Sequence, residues 1–247
     1  MNNNPSNLNS FLHLDFEDET QLWLSKTASL RKFIGILGMA LPFLLYGILY
    51  LHTGVEKPLE SISHYYFTRV SGVFVSILSI LGIFLIIYKG KEPVDFFVSL
   101  LAGVGILLVV FFPTSNLTTE CCDINIKHSV THIETSSFRE LLHYISAGVF
   151  LLCLAFMSIF LFTKSNKAPN NRTAQKIFRD RIYRVCGVIM CLAILIILAG
   201  FLGWIDRAFY EDNKLTFWME TVAVESFGFS WLIKGETLFQ DKKVDSK

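Results

Sequence analysis

Charged residues are scarce in this chain. Asp, Glu, Lys and Arg make up 17% of its 247 residues, whereas 52% are hydrophobic, and soluble globular proteins usually carry about 25% charge. The mean hydropathy is +0.48. The formal net charge is only +1, so there is no overall basic field that would attract nucleic acid. The composition argues against a soluble fold and gives no reason to expect a nucleic-acid partner.

Several functional signatures are also missing from the sequence. It contains no P-loop, no Rossmann glycine pattern, no GxSxG elbow and no redox CxxC. The apolar segments carry no run of charges of the kind that a voltage sensor shows. The first 32 residues lack an early basic stretch and instead hold an acidic cluster from Asp15 to Glu19, unlike a cleavable signal peptide. We therefore expect the first apolar run to act as an uncleaved anchor.

Six long apolar runs dominate the chain. Each is close to the roughly 20 residues that a helix needs to cross a bilayer. They lie at about 33–52, 70–88, 94–113, 141–163, 185–204 and 216–233. The sequence thus predicts an all-α integral membrane bundle of six transmembrane helices over 33–235. It leaves a cytoplasmic N-terminal segment, 1–32, partly disordered with an interfacial helix, and a cytoplasmic tail, 236–247.

The distribution of basic residues predicts the orientation. Of the 22 lysines and arginines, 16 fall on the side of the N-terminus and 6 on the other side. By the positive-inside rule both termini are cytoplasmic, and a bacterial inner membrane is the expected location. The basic inner loop 164–184 fits contact with anionic lipid. Small residues on helix faces, such as Gly72 and Ser76, Gly103, and Gly187, are expected to mediate helix packing.

Polar residues cluster at the predicted outer face. Ionisable groups are expensive inside a membrane and usually face a protein interior or a wet cavity. The candidate ligand-binding residues at this depth are Ser63, His64, Tyr65, Arg69, His143 and Glu220. One interpretation is a ligand site; the other is a structural network in which Arg69 pairs with Glu220.

Two further places hold chemically capable side chains. Glu225 lies deeper in the sixth run and is compatible with a proton-relay role. The outer loop 114–140 contains Cys121-Cys122 and His128-x-x-x-His132, and the two histidines share a face if that loop is helical. The spacing matches no established zinc motif, so we predict no metal and no cofactor. Asn116-Leu117-Thr118 matches a glycosylation sequon, which matters only in a secretory pathway.

A family resemblance rests on strings spread through the chain. They are SISHYY (61–66), YKG (88–90), PT (113–114), FTKS (162–165), RIYRVCG (181–187) and FGFSWLIKGE (227–236), together with His143 and Glu220. The chain resembles an uncharacterised group of bacterial six-helix membrane proteins with a domain of unknown function, which is distantly similar to the FRAG/DRAM/SFK superfamily. The resemblance implies a compact six-helix bundle and a link to lipid handling or membrane scaffolding, without a catalytic motif.

These observations favour a non-enzymatic membrane protein that binds a lipid headgroup or small amphiphile at its outer face. In this interpretation Arg69 pairs an anion, the histidines and Ser63 hydrogen-bond it, and Tyr65 anchors at the interface. The alternative is an intramembrane lipid hydrolase or transferase that uses His64 and His143 as acid and base. A small transporter or channel with Glu225 in its path is the third candidate. Membrane lipids are the expected partners; a homo-oligomer is compatible with the sequence, and no protein partner is indicated.

Overall fold

The computed structural model describes residues 27–90, 92–118, 128–165, 168, 171–235 and 239, and all regular structure in them is helical. The helices are α1 (Thr27–Thr53), α2 (Ser71–Ile87), α3 (Pro93–Phe111), α4 (Ser137–Phe156), α5 (Ala174–Phe201), the short α6 (Arg207–Asp212) and α7 (Leu215–Lys234). A 3₁₀ helix, Ile62–Phe67, precedes α2, and a π-helical turn, Met157–Leu161, extends α4. The all-α prediction is confirmed for these residues, and each predicted apolar run overlaps a helix, although four of the six runs extend beyond the helix ends.

Four helices are long and apolar enough to cross a membrane. They are Thr27–Thr53, Pro93–Phe111, Ser137–Leu161 and Ala174–Phe201. The apolar α2 is shorter, with 17 residues, and α7 carries Glu220 and Glu225 in its apolar sequence. The structure therefore indicates a multi-pass membrane protein.

Large hydrophobic side chains cover the outside of the bundle. Phe43 on α1, Phe97 on α3 and Leu195 on α5 are 67%, 64% and 58% exposed. Scattered apolar residues are normal on a soluble surface, but contiguous apolar surface of this kind is not. In a bilayer the same side chains contact lipid tails, whose polarity they match.

Glycines allow the closest helix contacts. A Cβ on Gly35 of α1 would lie 2.8 Å from the carbonyl oxygen of Gly228 on α7, and a Cβ on Gly103 of α3 would lie 2.7 Å from that of Gly82 on α2. The prediction that Gly103 mediates packing is confirmed. The prediction for Gly72 is wrong, because its Cβ position has no neighbour within 4 Å and the α2 face on which it lies is turned away from the other helices.

At the end of the bundle where α1 begins, the structure differs from the sequence prediction in two respects. Lys32, which the sequence assigned to the cytoplasmic N-terminal segment 1–32, lies inside α1 and is 1% exposed, and Arg31 donates to the Tyr88 hydroxyl at 3.0 Å. Within the inner loop 164–184, residues from Ala174 onward already form α5, because Thr173 accepts a hydrogen bond from the backbone N–H of Lys176 at 3.2 Å and caps the helix. Polar residues there continue the helix beyond its apolar part.

Candidate ligand site at the connector end

The segment 54–70 between α1 and α2, here called the connector, folds into the end of the bundle. Its 3₁₀ helix carries Tyr65 and Phe67, which are both 0% exposed. The Tyr65 ring packs against Phe217 of α7 with 6.0 Å between ring centroids. The backbone N–H of Val130 donates to the carbonyl oxygen of Phe67 at 2.9 Å, so the following loop is bonded to the connector. We call this the connector end of the bundle.

Ser61 and His64 form a hydrogen-bonded pair on the connector. The distance from Ser61 Oγ to His64 Nδ1 is 2.7 Å, and both side chains are buried. Residues three apart lie on one face of a 3₁₀ helix, which brings the hydroxyl beneath the ring. The pair fixes the orientation of the imidazole.

His64 is neutral at physiological pH. Burial, together with the nearby charges of His143 and Lys214, lowers the pKa of His64 from 6.5 to about 4. A neutral imidazole offers one donor and one acceptor nitrogen. Two basic residues from α4 and the start of α7 therefore lie close enough to His64 to influence its protonation.

His143 is oriented by the end of α3. Its Nδ1 lies 2.8 Å from the carbonyl oxygen of Phe112. Since a carbonyl only accepts, Nδ1 carries the proton and donates it, and in the neutral ring Nε2 is an acceptor. The side chain is 3% exposed, so its position is fixed by packing as well as by the hydrogen bond.

Glu220 attaches α7 to the connector. Its Oε2 accepts a hydrogen bond from the backbone N–H of Ile62 at 2.6 Å. One turn earlier, the backbone N–H of Phe217 donates to the carbonyl oxygen of Glu60 at 3.0 Å. The carboxylate is thus held by a backbone N–H group, and the alternative pairing with Arg69 is not observed, because Arg69 is exposed.

The other predicted site residues occupy different environments. Ser63 is 8% exposed and lies beside His64 in the 3₁₀ helix. Tyr65 faces the core, so it does not serve as an interfacial anchor; burial raises the pKa of its hydroxyl, which has no hydrogen-bond partner among the described residues. The structure therefore brings His64 and His143 near each other and Glu220 onto the same connector, and it leaves Arg69 at the rim.

Sequence reasoning missed two members of the cluster, Ser61 and Lys214. The Ser-x-x-His spacing of Ser61 and His64 would have indicated the pair if a 3₁₀ helix had been predicted there. Lys214 begins α7 with a positive φ of 51°, and its Nζ lies 3.9 Å from the partly exposed carboxylate of Glu60. Nothing in its sequence context distinguishes it from other interfacial lysines.

The outer loop shows no metal site in its described part. Residues 128–136 are not helical, so His128 and His132 do not share a helix face, and Cys121 and Cys122 lie outside the described residues. No group of three or more His, Cys, Asp or Glu that could hold a metal occurs in the described ranges. The condition under which the two histidines would share a helix face is therefore not met.

Asn116, the acceptor residue of the sequon, has a structural role in the same loop. Its Nδ2 donates to the carbonyl oxygen of Ile133 at 2.6 Å, and its Oδ1 accepts from the Ile133 backbone N–H at 3.0 Å. A side-chain amide with both groups bonded to the backbone N–H and C=O of one residue mimics a β-bridge. Arg139 of α4 adds to this loop by donating to the carbonyl oxygen of Pro113 at 3.1 Å.

The side chains at the connector end are suited to binding a ligand through hydrogen bonds. They comprise a neutral imidazole oriented by a hydroxyl, a second imidazole oriented by a carbonyl, and one ammonium. A base with a pKa near 4 drives proton transfer poorly at neutral pH, and the carboxylate that would complete a triad, Glu220, is bonded to the backbone. The arrangement suits hydrogen bonding to a polar or anionic group better than nucleophilic catalysis.

Comparison with known proteins returned no matching family model, curated protein or solved structure for this chain.

Proposed function

We propose that this chain is a six-span protein of the cell membrane with both termini in the cytoplasm. We further propose that it binds the headgroup of a lipid or small amphiphile at its connector end without chemically changing it. Four helices suited to crossing a membrane support the first part. The 16-to-6 division of basic residues supports the orientation, in which the connector end faces outward. The resemblance to six-helix proteins distantly similar to the FRAG/DRAM/SFK superfamily agrees with this proposal.

The observation that carries the binding proposal is the buried Ser61–His64 pair, 2.7 Å apart, which lies in the electrostatic field of Lys214. The Glu220 carboxyl group does not pair with this lysine, because it accepts a hydrogen bond from the Ile62 backbone N–H. The weak, partly exposed contact between Lys214 and Glu60 is worth at most about 1 kcal/mol. An anionic headgroup would satisfy the lysine and accept a hydrogen bond from an imidazole N–H.

The test is lipid binding by the purified protein in phosphatidylcholine nanodiscs with phosphatidylglycerol added as the anionic probe. Native mass spectrometry counts retained lipid. We expect Lys214→Gln and His64→Asn each to reduce retention of phosphatidylglycerol by roughly tenfold, the value of one charge-assisted hydrogen bond. Arg207→Gln is the matched control, because Arg207 lies at the same end, is 90% exposed and pairs with Glu211. Equal retention by all three variants would overturn the proposal.

A second candidate, a lipid hydrolase, is favoured by the 2.7 Å contact between Ser61 and His64, which is the distance between a nucleophile and its base. Turnover of a fluorescent phospholipid by the wild-type protein, abolished in Ser61→Ala, would establish this activity. The low pKa of His64 argues for the absence of turnover.

A further inference from the structure

A cleft of about 590 Å³ opens in the side of the bundle, away from the connector end. It lies between the first half of α5 and the middle of α7, and Met39 of α1 contributes to its lining. Its size is within the range of roughly 300–1,000 Å³ that small-molecule sites have. Phe178 and Val185 at its edge are 47% and 57% exposed. The cleft therefore opens to the surface that lipid covers in a membrane.

A carboxyl group lies among the mainly apolar walls of this cleft, whose other polar lining residues are Arg181 and Ser226. Its walls include Ile182, Ile189 and Phe229, and Glu225 of α7 projects among them. The Oε1 atom of Glu225 is closed to solvent and has no hydrogen-bond partner among the described residues, so a ligand in the cleft reaches the carboxyl group through the other oxygen. A carboxyl group with an unsatisfied acceptor is costly to bury, so a ligand that brings a donor gains the hydrogen bond that the protein does not supply.

The position of charge around the cleft indicates an uncharged ligand. Arg181 is the other charged lining residue, and it is exposed. From Arg181 to Ile189 the helix rises about 12 Å, so a ligand that fills the length of the cleft lies beside the guanidinium at one end. An ammonium would be repelled by Arg181 and would lose its hydration at depth. A hydroxyl donates the same hydrogen bond at a smaller desolvation cost.

We propose that the lateral cleft binds an uncharged lipid alcohol. Its apolar chain lies against Ile182, Val185 and Phe229, and its hydroxyl donates to the carboxyl group of Glu225 through the oxygen that faces the cleft. This site is separate from the connector end, and its occupancy does not require the binding activity proposed there.

The first experiment blocks the cleft without altering the carboxylate. The protein in nanodiscs is photolabelled with a long-chain alcohol that carries a diazirine, and the labelled peptides are mapped by mass spectrometry. We expect label on α5 and α7 in the wild-type protein and its loss in Val185→Trp, where the indole fills the cleft edge. Val188→Trp is the matched control, because Val188 is also on α5 and 51% exposed but does not line the cleft. Equal labelling of the two variants, or label confined to other helices, would refute the site.

The second experiment separates hydrogen bonding from charge at Glu225. Glu225→Gln keeps an acceptor oxygen and removes the charge, whereas Glu225→Met removes both at similar volume. We expect labelling by the alcohol to be retained in Glu225→Gln and to fall about tenfold in Glu225→Met. Unlabelled alcohol should compete, whereas an amine or a carboxylate of the same chain length should not. Competition by the amine equal to that by the alcohol, or loss of labelling in Glu225→Gln, would mean that charge selects the ligand and would overturn the proposal. Thermal unfolding of each variant confirms that the tested protein is folded.

Discussion

The buried imidazole of His64 makes the stability of this protein depend on pH. The pKa of His64 is about 4 in the folded chain and 6.5 in the unfolded reference. The folded protein therefore binds fewer protons than the unfolded chain between these values, and stability falls as the pH falls through this window. From linkage, the loss is about 2 kcal/mol between pH 7 and pH 5 and about 3 kcal/mol below pH 4. Burial is the main cause, and the charges of His143 and Lys214 add to it.

The variant His64→Asn isolates this effect. The asparagine side chain places a polar atom near the position of Nδ1 and keeps a partner for Ser61, but it does not titrate. Unfolding of the detergent-solubilised protein by added dodecyl sulfate, followed by tryptophan fluorescence from pH 7 to pH 4, gives the free energy of unfolding for both proteins. We expect the difference between wild type and variant to shift by about 2 kcal/mol between pH 7 and pH 5.

The control for this measurement is His52→Asn, because His52 is exposed in the last turn of α1. It should follow the wild-type pH dependence, since replacing this exposed side chain leaves the connector end unchanged. Glu220 and His143 are present in every protein compared, so their titration cancels to first order. A change of less than about 0.5 kcal/mol in the wild-type-minus-His64→Asn difference would show that the buried imidazole does not control acid stability.

Three further outcomes follow from the fold. Gly35→Ala should lower the free energy of unfolding by about 1–3 kcal/mol, because its methyl meets the α7 backbone, whereas Gly47→Ala on the same helix, with no neighbour within 4 Å, should leave it unchanged or slightly higher; equal effects would refute this account of the contact. Glu220→Ala should cost about 1–3 kcal/mol in the same assay by leaving the connector N–H unpaired, and a neutral result would mean that water replaces the carboxylate. A cysteine introduced at Arg69 should react with a membrane-impermeant maleimide in intact cells or spheroplasts, while one introduced at Lys176 should not; the reverse result would invert the topology.

Much of the helical fold was predictable because the length of a continuous apolar run indicates a helix. The predicted run 216–233 differs from α7, Leu215–Lys234, by one residue at each end. The sequence pattern placed the start of α5 too late. Thr173 caps a polar extension of the helix, and a hydropathy pattern detects only the apolar part of a helix. The burial of Lys32 was not predictable, since which face of a helix is covered depends on partner helices distant in sequence.

The sequence predicted at which end of the bundle the candidate site lies. It did not predict which side chains contact one another there. Equal depth in the topology is enough to group His64, His143 and Glu220 at one end. The details depended on the 3₁₀ conformation of the connector, in which three residues per turn place His64 against Ser61 and direct Tyr65 into the core. An α-helical or extended connector would have changed both relations. The contact between Gly35 and Gly228 was missed for a different reason, because the two glycines are far apart in the chain.

The double hydrogen bond between Asn116 and the backbone N–H and C=O of Ile133 has a consequence for synthesis in a eukaryotic host. Oligosaccharyltransferase needs the asparagine amide as a nucleophile, and in the folded loop that amide is held by a carbonyl oxygen. Glycan can be added only before residues 116 and 133 meet. In the proposed orientation this loop enters the lumen during synthesis. The glycosylated fraction of the chains, measured by a gel shift, would then increase with the time that the loop takes to fold.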